Sequence, residues 1–311
     1  MPKWASTLAL MVSDVGTTVV ERCEQAGGEH VFVCDLSPPR GGDPALLSGA
    51  SELPADFIFV AHNPGKSPRL NTVAAAHWIS QHADQNTGQN LGRGVIFTVS
   101  TRDMNKMAMQ GTLLGADLLG LHNVVVVKGD PYRGRDLEWA VPVDDYRPTE
   151  LIASINGLNE GLDFRGLKLR SQTDFCVGAT IDLGMAMDRQ VALTRRKVES
   201  GATYFLLQAL FEPERLTAFI TAYGDAYGEE LTQPIFCGVQ VLVPDGITFG
   251  TPPSWVSNAI DRGRDGVEIA VDLIGRYADA GHNNVYLVPP IFNGGRRDYR
   301  SAARVLRAFG R

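Results

Sequence analysis

Apolar runs recur along the chain in one repeating context. A segment with helical spacing closes on glycine, and a few residues later four or more β-branched or aromatic residues follow. AGGEHVFVCD (26–35), LGLHNVVVVKGD (119–130), SGATYFLLQ (200–208) and AGHNNVYLVPP (280–290) are instances. Glycine after a helix supplies a left-handed cap, and a continuous apolar run reads as a strand buried on both faces. The pattern predicts strands over 31–35, 56–61, 94–99, 123–128, 173–178, 203–208, 235–241 and 284–288. Between them it predicts helices over 69–83, 103–119, 184–200, 213–224 and 265–280. Asp103 stands as N-cap of the second of these, and Pro213 suits the first turn of the fourth. Such alternation signals parallel βαβ units. Eight alternations in 311 residues fit a closed barrel better than an open sheet. An open doubly wound sheet would want a glycine-rich phosphate loop after its first strand, and the chain reads CDLSPPRGGDP there. The expected fold is an α/β (βα)8 TIM barrel, one catalytic domain over 1–311. Residues 1–29 form an N-terminal helical extension, with a helix over 5–26 that plugs or flanks the barrel base.

Composition narrows the setting. Hydrophobic residues make up 44% and charged residues 21%, as in a globular protein. The net charge of −6, with no long basic run, argues against nucleic-acid binding. Cys23, Cys34, Cys176 and Cys237 form no CxxC pair, which points to reduced thiols and a cytoplasmic protein. Asp14 interrupts the first apolar stretch too early for a signal peptide, and no run approaches a membrane span. The six histidines show no paired ligand spacing, so no metal is expected.

In a barrel of this kind the chemistry comes from the carboxyl ends of the strands. Those ends carry Asp35, His62, Asn63, Ser100, Thr101, Lys128, Asp130, Thr180, Gln208 and Gln240, with Asn293 past the last strand. Singly, each has an ordinary structural role open to it. Asp35 before Leu-Ser-Pro-Pro can cap a turn, Asp130 in KGDP can be a turn residue, and Gln208 can bond a loop backbone. Together, two carboxylates and an amide on three strand ends make a site. A dry barrel mouth favours a neutral carboxylic acid, which makes Asp35 a candidate proton donor. Lys128 and Arg133 are near enough in sequence to keep Asp130 ionised. The long charged loop 131–147 is a further candidate for function.

At these residues the chain resembles the methylenetetrahydrofolate reductase family. NVVVVKGDP (123–131) resembles the family's strand ending in (R/K)GDPP. RRKVESGATYFLLQALFEP (195–213) is similar to its KRKVDAGA…(T)Q-x-x-F segment, with the Lys-to-Gln spacing kept. VFVCDLSPPR (31–40) resembles SFEFFPP, with the acidic residue three positions before the first proline. VYLVPP (285–290) is similar to the last strand of some members, so the resemblance runs in order through most of 30–293.

The resemblance implies interconversion of 5,10-methylenetetrahydrofolate and 5-methyltetrahydrofolate by hydride transfer, with FAD as cofactor and NAD(P)H as hydride source. It implies Asp35 as general acid and Asp130 as a catalytic residue near flavin and pterin. Gln208, Asp130 and Asn293 would contact the folate. Thr98, Ser100, Lys128, Gly129 and Asp130 would line the flavin, and Lys197 would lie near its phosphates. The chain departs from the family in three places. The acid is Asp rather than Glu, GATIDLG (178–184) replaces a YPExHP-like run, and AHNPGKS (61–67) replaces a Thr-Tyr-Gly-Ala run. These leave open whether hydride passes through flavin or comes directly from the nicotinamide. A non-catalytic folate- or flavin-binding barrel and another flavin-dependent barrel oxidoreductase are the alternative readings. The partner implied is a small folate substrate, with homo-oligomerisation open.

Overall fold

The computed structural model describes residues 17–51, 53–82 and 94–311. Eight parallel strands close on themselves in sequence order: β1 (Val31–Leu36), β2 (Phe57–Val60), β3 (Gly94–Ser100), β4 (Asn123–Val127), β5 (Cys176–Ile181), β6 (Tyr204–Ala209), β7 (Ile235–Gln240) and β8 (Asn284–Val288). The helices of eight or more residues among the described residues are α1 (Val19–Ala26), α2 (Thr72–His82), α3 (Lys106–Leu118), α4 (Pro148–Asn159), α5 (Met187–Glu199), α6 (Pro213–Tyr227), α7 (Ser254–Asp261), α8 (Gly266–Asp279) and α9 (Tyr299–Ala308). The (βα)8 barrel and its additional N-terminal helix are thus present. The part of that helix expected before residue 17, and residue 83 of the 69–83 helix, lie outside the described residues. Among the described residues no helix is long and apolar enough to cross a membrane.

Successive strand residues face opposite sides, and this divides the core in two. Phe32, Cys34 and Leu36 of β1 pack outward under the helices. Val31 and Val33 point into the barrel with Phe57, Ile96, Val125, Tyr204 and Phe236. Continuing the inward set, Asp35 follows Val33 and lies one layer nearer the carboxyl end. The apolar layer therefore forms a floor on which a polar layer rests.

Helix α1 covers the barrel from below. Thr18 and Glu21 cap it reciprocally, side chain to backbone in both directions. Val19 is fully buried in the barrel-interior cluster, and its N–H donates to Asn123 Oδ1 (2.9 Å) at the start of β4.

The floor needs glycine at one place. Tyr204 spans the interior, and a Cβ on Gly178 of β5 would lie 2.4 Å from its ring. We predict that Gly178→Val displaces Tyr204 and costs about 1–3 kcal/mol in a urea unfolding titration, as overpacking does elsewhere.

Three sequence expectations shift. β5 begins at Cys176 rather than 173, because Asn159 satisfies the lead-in: its Oδ1 accepts from Thr173 Oγ1 (2.7 Å) and from Phe175 N–H (2.8 Å). α3 is capped by Asn105, whose Oδ1 accepts from Ala108 N–H (2.9 Å), and not by Asp103. Helices α4, α7 and α9 were not foreseen, whereas Pro213 does open α6.

Candidate functional site

A cavity of about 1070 Å³ opens at the carboxyl ends of the strands. It lies at the upper end of the range for small-molecule sites. Asp35, Asp130 and Gln208, from β1, the turn after β4, and β6, all line it. Thr98, Lys128, Gly129 and Lys197 line it as well. Ser100 and Asn293 do not. The Ser100 hydroxyl turns into the wall and donates to the Lys128 carbonyl (3.2 Å). Asn293 is exposed and donates to the Asp245 carbonyl (3.2 Å).

Beside β1 and β8 the cavity floor holds a buried ion pair. Arg297 Nη2 lies 2.9 Å from Asp35 Oδ2, with the two side chains 7% and 4% exposed. Tyr286 of β8 donates its hydroxyl to Asp35 Oδ1 (2.8 Å). Burial pushes the Tyr286 phenol well above its ordinary range, and the negative charge of Asp35 adds to this, so the phenol stays a donor. The Arg297–Asp35 contact has the separation of an ion pair without the alignment of a hydrogen bond. Asp35 Oδ2, Arg297 Nε and Nη1, and Thr98 Oγ1 are buried with no hydrogen-bond partner among the described residues. The sequence suggested Asp35 as a carboxyl alone in a dry mouth; the fold instead supplies a guanidinium and a phenol as its neighbours.

Across β2, β3 and β4 the wall is a network centred on Asp103. Its Oδ1 accepts from Arg102 Nε (2.6 Å) and the Tyr132 hydroxyl (2.9 Å). Its Oδ2 accepts from Arg102 Nη2 (2.8 Å), His62 Nε2 (3.1 Å) and Asn63 Nδ2 (3.1 Å). Burial alone would raise this acid. The Arg102 hydrogen bonds, with those from His62, Asn63 and Tyr132, outweigh it and hold Asp103 well below the usual carboxylate range. Arg102 also donates Nη1 to the Asp130 carbonyl (2.9 Å), which fixes the KGDP turn. Gly129 in that turn has φ +81°, and a Cβ there would lie 2.6 Å from Ser100 Oγ. Only glycine lets the β4 turn settle so close to β3.

Against this braced wall stand two free groups. The Asp130 carboxylate and the Gln208 amide are exposed to the cavity and make no hydrogen bond or ion pair among the described residues. Helix α5 forms a basic side. Arg189 and Arg196 are exposed and line the cavity, and their seven-residue spacing puts them on one helix face with Lys197. Lys197 is only 6% exposed and donates Nζ to the Thr180 carbonyl. Burial pulls its ammonium down from 10.5 to about 8, with Asp182 opposing in part.

The depressed ammonium makes a pH prediction. Below about pH 8 Lys197 is protonated in both the folded and unfolded chain, and folding carries the full cost of burying the charge, on the order of 3 kcal/mol. Between about pH 8 and 10.5 the folded chain releases the proton first, so stability rises relative to a variant without the amine. Lys197→Met should therefore be favoured most near neutral pH, with its relative advantage shrinking as pH rises. Urea titrations at the two ends of the window check this, and a pH-independent difference would contradict it.

Sequence reasoning missed Arg102, the role of Asp103 and Arg297. The signal for the first two was the charged pair directly after β3. Arg297 sits in a Gly-Gly turn before α9, where nothing in the sequence pointed inward.

Comparison with known proteins bears on the family and the fold. The chain matches the family described as methylenetetrahydrofolate reductase over residues 22–243. No curated protein matches it. Among solved structures, an uncharacterised protein from Clostridium thermocellum that binds two copies of 5-methyl-5,6,7,8-tetrahydrofolic acid is similar at 13% identity and TM-score 0.57, over 92% of this chain and 98% of that one. A 2,3-dimethylmalate lyase of the PEP mutase/isocitrate lyase superfamily follows at 13% identity and TM-score 0.47, over 93% of this chain and 84% of that one.

Proposed function

The chain belongs to the methylenetetrahydrofolate reductase family, and from that premise we propose that it interconverts 5,10-methylenetetrahydrofolate and 5-methyltetrahydrofolate by hydride transfer. The observation that carries the reading is that Asp35, Asp130 and Gln208, remote in sequence, line one cavity. A pterin presents an amino group and a ring N–H beside a carbonyl. A free carboxylate accepts from the first two, and a free amide both donates and accepts. Asp130 offers the first from a turn braced by Arg102, and Gln208 offers the second from the end of β6. The folate bound by the Clostridium thermocellum neighbour supports a ligand of this class.

The cavity also has features that fit FAD. Lys197, Arg189 and Arg196 would hold its pyrophosphate, and the unpartnered Thr98 hydroxyl would bond its polar edge. When bound, flavin would relay hydride from NAD(P)H to the one-carbon unit. Where the family has an aromatic and a histidine after the fifth strand, this chain has Asp182-Leu183-Gly184, so that contact to the flavin is lost. Direct transfer from the nicotinamide is the companion route. In both, the protein orients the rings, excludes water and supplies a proton.

Purified protein should oxidise NADH or NADPH only when methylenetetrahydrofolate is present. Its visible spectrum decides the route, since a bound flavin absorbs in the blue. Folate binding with no turnover in either direction would instead select the non-catalytic barrel, a reading that the engagement of Asp35 by Arg297 favours. No binding would refute both.

A further inference from the structure

Opening the methylene bridge consumes a proton, and the residue at the acid's position is already engaged. Asp35 faces Arg297 on one oxygen and Tyr286 on the other. Another proton-bearing group lines the same cavity. Resting on the folate reading above, we propose that His62, held by Asp103, supplies this proton.

The argument starts from strand order. β2 lies between β1 and β3, and β3 pairs with β4. His62, two residues past the end of β2, thus stands at the strand end between those of Asp35 and Asp103, with Asp130 next beyond. Its side chain is 10% exposed. Nε2 meets Asp103 Oδ2 at 3.1 Å, while Nδ1 is buried with no partner among the described residues. Asp103 takes five donors and is ionised, so it can only accept, and Nε2 must carry a hydrogen. Asn63 Nδ2, 3.3 Å from Nε2, donates to the same Oδ2. The tautomer is thereby fixed, and Nδ1 is left as the nitrogen that exchanges protons with a ligand. A carboxylate behind an imidazole fixes the ring's orientation and stabilises the imidazolium, while Arg102 keeps the carboxylate itself in place.

In the reducing direction the bond from the bridging carbon to the leaving nitrogen breaks. The electron pair stays on that nitrogen, which takes the Nδ1 proton of the imidazolium. The iminium that remains receives hydride from reduced nicotinamide or flavin, and neutral His62 is reprotonated from water. In the oxidising direction Nδ1 accepts the same proton.

His62→Gln keeps an N–H for Asp103 but cannot transfer a proton. Its kcat should fall by about 10²- to 10⁴-fold, the range for a lost general acid. Its dissociation constant for 5-methyltetrahydrofolate should stay within about threefold of wild type, since only the transition state uses the proton. Added imidazole should restore part of the turnover of His62→Gly. A kcat for His62→Gln within about tenfold of wild type overturns the inference and leaves the folate reading standing. So does a loss of kcat matched by an equal loss of binding, with no response to imidazole, which would make His62 a wall residue. A wild-type chain inactive with folates in both directions overturns the folate reading and this inference with it.

Discussion

Asp35→Ala should lower the unfolding free energy by about 3–5 kcal/mol, the cost of stranding one member of a buried ion pair. The side chains of Asp35 and Arg297 are 4% and 7% exposed, so little water reaches the guanidinium when its carboxylate is removed. Tyr286 would lose its acceptor at the same time. Among the described residues Arg297 is already short of partners, with Nε and Nη1 unpaired, so the remaining contact with Asp35 matters more. The double variant Asp35→Ala/Arg297→Met should be less destabilised than Asp35→Ala alone, because it removes both charges together. Urea unfolding of the four proteins of the cycle measures this. Additive losses would mean that the two groups do not stabilise each other. Because the expected damage is structural, loss of turnover in Asp35→Ala cannot by itself identify Asp35 as the acid, and the His62 variants are the sharper test of proton supply.

Asp130→Ala should weaken binding of 5-methyltetrahydrofolate by about 10- to 100-fold while leaving stability nearly unchanged. Asp130 is exposed, and among the described residues its carboxylate has no partner to strand. The loss corresponds to a charge-assisted hydrogen bond worth about 1.5–3 kcal/mol. Asp130→Asn should fall between, since its amide keeps one acceptor and loses the charge. Gln208→Leu should cost less than Asp130→Ala, because a neutral hydrogen bond is worth about half as much. Calorimetric titration checks the order, and an unchanged affinity in Asp130→Ala would remove the pterin from this wall.

The architecture was legible because a parallel barrel announces itself in continuous apolar runs, and the strand positions follow from those runs at every strand but β5. There Thr173 and Phe175 are as buried as strand residues, but the Asn159 side chain satisfies the lead-in in place of strand pairing. Asp35, Asp130 and Gln208 were found for a simple reason: each ends an apolar run at the carboxyl face, so the fold brings them to one mouth. What they would meet there was not legible. Arg297 comes from the far end of the chain, and the turn that carries it inward has no local signature. Asp103 looked like a helix cap because Asp before a helical run usually is one. Asn105 took that role, which released Asp103 to gather Arg102, His62, Asn63 and Tyr132. Ser100 and Asn293 do not line the mouth, for the converse reason. Ser100 ends β3 and Asn293 lies past β8, yet nearby backbone carbonyls claim both side chains.

A crystal structure of the protein with 5-methyltetrahydrofolate tests the central claim most directly. Pterin density within hydrogen-bond distance of Asp130 and Gln208, at the carboxyl ends of β4 and β6, is the predicted result. A folate lodged outside that mouth, or no folate in crystals soaked to saturation, would contradict the account.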